Sequence, residues 1–416
     1  MSNENLEKKR WWIAVAAIVM QLCLGSVYAW SVFKKPLMEV HGWEEVGVQI
    51  TFMILMAFTG LSAAFGGGIL DKKGPRFVAT IGGILFGIGT MLAGVADSVG
   101  SITLLYLSFG VLAGLGGGSA YVTPIATLIR WFPDKRGLVT GLAVMGYGGG
   151  AFFIGKLAPI MVLKMGVANT WYILGAIFLV LCVGAATFYK NPPQGWLPKG
   201  FVPPKTHASA ANSFTAAEAQ KKPQWWMLWG MLFLNVSAGL GLISQLSPLA
   251  QEVLKKTMSP DLSQAELAAA LAVAGGTILS IASIFNGLGR LFWAWTSDAI
   301  GRKGVFMIMF ATQAVLYILL PKVGSSVLFT VVACYLLACY GGGFATMPAF
   351  AADSFGPTYI GRVYGFMLTA WATAGIIGPW VFAQFKGIAL YVAAAFLVVG
   401  FLLALAYKRP EPKNAS

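Results

Sequence analysis

The chain has 416 residues, of which 57% are apolar and 11% charged, with a net charge of +14 and a mean hydropathy of +0.74. Soluble domains carry about 25% charged residues, so these values exclude an ordinary soluble fold. The basic excess falls in the loops between apolar stretches, which points to the positive-inside rule of membrane proteins rather than to nucleic-acid binding.

Apolar stretches long enough to cross a bilayer recur along the whole chain, and the alternating segments of a membrane β-barrel do not. The first, WWIAVAAIVMQLCLGSVYAW, follows EKKR. It is too long for a signal-peptide core and lacks a small-residue cleavage site, so it reads as a retained helix. Twelve spans are predicted, at 11–34, 46–70, 77–96, 101–132, 138–165, 168–189, 225–250, 267–297, 303–321, 324–352, 360–385 and 387–407. The expected fold is all-α and polytopic. A first six-helix bundle (1–190) and a second (223–416) flank a linker (191–222) rich in proline, lysine and small polar residues. Within the linker, Thr215 to Glu218 has the spacing of a capping box.

With both ends on one face, twenty of the 29 Lys and Arg side chains fall on the terminal face and eight on or near the other, which predicts cytoplasmic termini in a cell membrane. The remaining one is Arg290. Cys23, Cys182, Cys334 and Cys339 all lie in apolar runs, where packing is their default role. His41 and His207 fall in predicted loops, so neither a metal site nor any other cofactor is expected.

The two halves echo each other. GGILDKKGPR follows the second span and AWTSDAIGRK the eighth, placing Asp71 and Asp298 227 positions apart. FPDKRG precedes the fifth span and FGPTYIGR the eleventh, placing Arg136 and Arg362 226 apart. A shared offset implies a duplicated six-helix unit, with a substrate site between the halves near mid-bilayer. The run Gly67-x-x-x-Asp71-Lys72-x-Gly74-x-Arg76 resembles the loop signature of the major facilitator superfamily, with a weaker copy at Asp298, Gly301 and Arg302. The resemblance implies a gate role for Asp71, Arg76, Asp298 and Arg302. Physically, a carboxylate at a helix end can pair with arginine and with helix N-termini.

Arg290 lies eight residues from Asp298, or about 12 Å deeper at helical rise. Half a hydrocarbon core is about 15 Å. An intramembrane arginine is costly and normally faces a wet cavity and a partner. All fifteen Asp and Glu residues map to loops or span ends, so the cargo itself is a candidate partner, a carboxylate matching the guanidinium fork. Asn286, one turn earlier on the same face, either assists that contact or links helices. Tyr147, Tyr121, Trp371 and Tyr340 lie about 15 to 18 Å in from the terminal face. Tyr28 is placed higher in the first span, and Phe344 is one turn from Tyr340. Together they would form aromatic walls suited to a small organic anion, although each is equally consistent with packing. The glycines at 110, 114 and 118, and those from 146 to 150, serve either static packing or sliding. Lys156, in the outer fifth span, either reaches the cavity or snorkels to the surface.

NGLGRLFWAWTSDAIGR and RWFPDKRG resemble segments of the monocarboxylate transporter family and its oxalate–formate antiporter branch. That resemblance implies that Arg290 binds a substrate carboxylate. The antiporter branch carries a second cation, a lysine, in the eleventh helix, where this chain has Trp371. A dianion facing one cation would leave an uncompensated charge in a poorly hydrated site, so a lactate- or pyruvate-like monoanion is preferred. Animal proton-coupled members carry an aspartate and a lysine where Asn286 and Val32 stand here. Proton symport is therefore implied by the family and not by an identified carrier. The expectation is a secondary transporter of short monocarboxylates working by alternating access. An oxalate–formate type exchanger is the alternative, a non-transporting receptor is a weaker one, and no catalytic constellation suggests an enzyme.

Overall fold

The computed structural model describes residues 3–193, 196–201, 213–256, 262–356 and 358–411. Among the described residues there are helices and loops but no strand. The first half comprises α1 (Asn3–Gly25), α2 (Ser31–His41), α3 (Glu45–Lys73), α4 (Pro75–Ser98), α5 (Ile102–Leu105), α6 (Gly114–Trp131), α7 (Arg136–Gly148) and α8 (Ala151–Ala186). A short α9 (Ala216–Gln220) precedes the second half. That half comprises α10 (Pro223–Lys255), α11 (Gln264–Ile300), α12 (Arg302–Leu319), α13 (Ser326–Phe355), α14 (Ile360–Met367), α15 (Thr369–Gln384) and α16 (Ala389–Ala406).

Eleven helical stretches among the described residues are long and apolar enough to cross a membrane. One of them, 141–186, contains a non-helical residue at Gly166 (φ 81°, ψ 170°) and is two helices end to end. The fifth and sixth expected spans meet there, which accounts for twelve crossings. The outer surface carries Trp295, Val180 and Val327, each at least 70% exposed. Polar side chains such as Asn235, Gln49, Asn286 and Arg290 are buried. Apolar surface outside and polar groups inside is the arrangement a bilayer selects, and this is a multi-pass membrane protein.

The internal repeat is visible in the backbone. Gly74 (φ 82°, ψ 165°) separates α3 from α4, and Gly301 (φ 83°, ψ 149°) separates α11 from α12. They are 227 positions apart, the offset of Asp71 and Asp298. This region of φ favours glycine because a Cβ would clash with the backbone. The same turn therefore recurs after the second and eighth spans.

Between the halves, α3 packs along α15, α11 packs on α7 and α8, and α10 meets α2. The glycine stripe at 110, 114 and 118 serves the first half alone. A Cβ at Gly110 would meet Ile54, at Gly114 the Leu55 carbonyl and at Gly118 the Thr59 carbonyl, all on α3. Gly148 approaches Gly287 across the halves. In the linker, Thr215 and Glu218 form the expected capping box at the start of α9. The Phe214 N–H donates to the Phe355 carbonyl at 2.8 Å, docking this end of the linker on the second half. His41 ends α2 instead of lying in a loop, and its Nε2 is 2.7 Å from Asp97 Oδ1. His207 lies outside the described residues.

Candidate functional site

Several spans are interrupted at mid-depth, and the interruptions position the site. The first span leaves α-geometry for a 3-10 turn at Ser26–Ala29, which carries Tyr28. Tyr147 is the penultimate residue of α7, just before the break at Gly149 and Gly150. Tyr121 precedes Pro124 inside α6 by three residues. Tyr340 abuts Gly341 to Gly343 in α13, and Trp371 follows the break at Leu368 between α14 and α15. Broken helices are tolerated in a membrane where they face protein or a cavity, not lipid.

These residues converge on Arg290. All eight expected binding residues (Arg290, Asn286, Tyr28, Tyr121, Tyr147, Tyr340, Phe344 and Trp371) are at most 4% exposed. Ring centroids are 5.3 Å apart for Tyr28 and Tyr147, 4.9 Å for Tyr121 and Tyr147, 5.5 Å for Tyr121 and Trp371, and 5.2 Å for Phe344 and Trp371. The arginine Cζ sits 5.4 Å from the centre of the Phe344 ring, within cation–π range. The side chains of Tyr28, Tyr121, Tyr340 and Tyr147 all lie close to the guanidinium, those of Tyr28 and Tyr121 within hydrogen-bonding reach of it. Tyr28 and Tyr340 share a 2.7 Å hydrogen bond that joins the two halves. Tyr28 is thus part of the cage and not above it. Its side chain leans back toward the N-terminus of the span, which brings the hydroxyl to Tyr340.

The polar atoms facing this cage are under-used. Arg290 Nε and Nη1, Asn286 Oδ1 and Trp371 Nε1 are buried without a hydrogen-bond partner among the described residues. A buried polar atom left unpaired costs about 1 to 3 kcal/mol, and more when charged. The neighbours leave Arg290 little freedom. A Cβ at Gly341 would fall 2.6 Å from Asn286 Oδ1 and 3.0 Å from Arg290 Cγ, and one at Gly148 would fall 2.8 Å from Arg290 Nε. Only glycine lets the flanking helices come this close.

Tyr364, half-buried in α14, lies near Tyr121 and Arg290 at the edge of the cage. It lies in α14, across the break at Leu368 from Trp371, so helical spacing from Trp371 does not place it. Lys156 is exposed and turned away from the cage, so of its two readings the surface one fits. Among the four gate residues, Arg302 pairs with Asp298 at 2.5 Å and reaches Asp353 at the end of α13 at 3.3 Å. It also bonds Ser297. Arg76 is exposed, and the Asp71 side chain lies outside the described residues. A second ionic cluster, around Lys34 and Glu45, was missed altogether. Lys34 reads as an outer-face lysine near a span end, yet it is buried and bonded to Glu45 and Gln245.

The fold and this cage place the chain among membrane carriers built from two six-helix halves. The sequence matches the Major Facilitator Superfamily over residues 13–379 and 256–416, and the chain belongs to that family. It is 31% identical over 380 residues to the oxalate:formate antiporter of Oxalobacter formigenes, covering 90% of this chain and 85% of that one. It is 24% identical to monocarboxylate transporter 12 of Rattus norvegicus, covering 94% and 83%. Among solved structures, a bacterial homologue of the human lysosomal transporter Spinster, inward-facing and unoccupied, shares the fold with a TM-score of 0.69. That match has 14% identity and covers 95% and 96% of the two chains.

Proposed function

We propose that this protein is a secondary active transporter of short monocarboxylates, of the lactate and pyruvate kind. In this reading it sits in the cell membrane with both termini in the cytoplasm and works by alternating access between its two bundles, 1–190 and 223–416. The observation that carries the proposal is Arg290: a fully buried guanidinium, two of its nitrogens unpaired, in a cage of aromatic rings. A carboxylate supplies the missing acceptor and the missing charge together. The aromatic walls and the close spacing of the rings favour a small, largely apolar body behind that carboxylate.

One central cation favours a monoanion. Trp371 offers an indole N–H where a second positive charge would be needed for a dianion, and Lys156 faces away. The tyrosine hydroxyls serve as neutral donors to a carboxylate or an α-hydroxyl. Tyr28→Phe is expected to raise the KM for lactate about fivefold at unchanged protein level, the equivalent of one net hydrogen bond. An unchanged KM would place Tyr28 outside the substrate path.

Coupling to a proton balances the charge of an inward-moving anion. Exchange does so as well. An oxalate–formate type exchanger is the second reading, favoured by the 31% identity to a protein of that name. Radiolabelled lactate uptake into proteoliposomes decides between them. Symport of monocarboxylates gives uptake driven by an inward proton gradient and inhibited by pyruvate more than by oxalate. Strong stimulation by internal oxalate with no response to the gradient supports the exchanger. No uptake or exchange of any of these acids overturns both.

A further inference from the structure

Among the described residues, the charged contacts that join the two halves cluster on the face away from the termini. Lys34 of α2 is 2% exposed, pairs with Glu45 at the start of α3, and donates to Oε1 of Gln245 on α10. Gln245 Nε2 donates to the same Glu45 Oε1 at 3.1 Å. Lys386, just beyond α15, pairs with the other carboxylate oxygen. Beside them, Lys35 donates to Gln251 Oε1 at 2.8 Å, and the Ser247 N–H donates to Ser31 Oγ at 3.4 Å. Glu45 belongs to the first half, whereas Gln245, Lys386, Ser247 and Gln251 belong to the second. On the terminal face, by contrast, Arg10 pairs with Glu7 and Asp134 inside the first half, and Arg302 with Asp298 and Asp353 inside the second.

We propose that Glu45 is a proton site whose ionised carboxylate locks this face shut and whose protonation opens it. The inference rests on the transport reading, in which this face is the external one. One carboxylate serves two ammonium groups, Lys34 and Lys386, with Lys35 close by, and it accepts from Gln245. A proton added to Glu45 from external water removes the only negative charge in that set. Lys34 is then a buried cation without a counter-ion, and it repels Lys386 across the seam between the halves. Separation of the halves hydrates Lys34 and moves the already exposed Lys386 away from it. When the face closes again the proton returns to the same water, so the device is a gate set by external pH and not a stoichiometric co-transport step. The sign follows from the carboxylate: its two ammonium partners favour the ionised form, so the lock holds at neutral and mildly acidic pH and is lost only as pH falls below the ordinary carboxylate range.

The test reads the opening directly. The four native cysteines are all buried and are replaced by alanine. Ser247→Cys, buried beside Ser31, then reports on the seam, and Val99→Cys, on the exposed loop after α4, normalises for thiol reactivity. A membrane-impermeant maleimide is applied to intact cells. With Glu45 present, normalised labelling is expected to rise about fivefold from about pH 7.5 to about pH 3.5, below the ordinary glutamate range. Glu45→Gln is expected to label fast at both pH values. Lys386→Gln, at an exposed position that tolerates change, is expected to label faster than the parent at the higher pH. Slow labelling of Glu45→Gln at both pH values, or a surviving pH response in it, overturns the proposal, as does parental labelling of Lys386→Gln. Absent lactate uptake with the pH-dependent labelling intact overturns the transport reading and leaves the gate standing.

Discussion

Arg290→Gln is expected to abolish monocarboxylate uptake, by about 100-fold or more, while raising the melting temperature of the detergent-solubilised protein. Both effects come from the same observation. Among the described residues, the guanidinium is buried with no carboxylate beside it and with Nε and Nη1 unpaired. Ionic groups held in a protein interior cost several kcal/mol unless their charge and hydrogen bonds are answered. Glutamine removes the charge and keeps much of the volume, so the unloaded protein is relieved of that cost. The loaded protein loses its charge-assisted contact, and losing one partner of a buried ionic pair costs about 3 to 5 kcal/mol. Arg290→Lys separates charge from geometry. It retains a cation but loses the planar fork, so uptake is expected to fall about tenfold or more. Stability without function is a known signature of a functional site, where activity demands an otherwise unfavourable arrangement. Uptake near the parent level in Arg290→Gln, or a lowered melting temperature with uptake retained, would mean that the arginine is a structural element.

Trp371→Lys is expected to shift preference toward dianions, with oxalate gaining at least about tenfold as a competitor relative to lactate. Trp371 is fully buried, with Tyr121, Tyr147 and Phe344 rings around it. A lysine there would share the cage with Arg290. Two cations in one poorly hydrated site repel, so the lysine is expected to stay neutral in the unloaded protein. A dianion reverses that balance, and its binding should take up one proton per site. A monoanion cannot pay for both charges, and it also loses the indole wall, so lactate uptake should fall. Competition assays at two pH values check both parts. Equal loss for lactate and oxalate would show that Trp371 acts as a wall and not as the position that sets charge selectivity.

Much of this arrangement is legible before any coordinates. Depth counted from the charged edge places Tyr121, Tyr147, Tyr340 and Trp371 level with Arg290, because helical rise is constant and these residues lie in helices that run inward from one face. The same counting puts Tyr28 too high. Counting residues places the Cα, whereas the hydroxyl that meets Tyr340 lies a side chain's length back toward the start of the span. The break at Gly166, by contrast, is legible: it falls between the expected fifth and sixth spans, where Lys164, Gly166 and Asn169 interrupt the apolar run. Lys34 fails for another reason. A lysine near a span end ordinarily reaches water, and its burial depends on Gln245, 211 positions away, and on Lys386, further still. Local patterning cannot report a partner that the tertiary fold delivers.

The docked linker has a mechanical consequence. Because Phe214 bonds to Phe355 and α9 packs on α10 and α14, the connection ends as a fixed part of the second bundle. The other end is held by the first bundle: the Trp196 ring lies 5.1 Å from that of Trp131, and the Lys199 N–H donates to Glu7 at 3.0 Å. Each bundle therefore carries its own end of the connection as a fixed part, and a relative rotation of the two leaves both anchors in place.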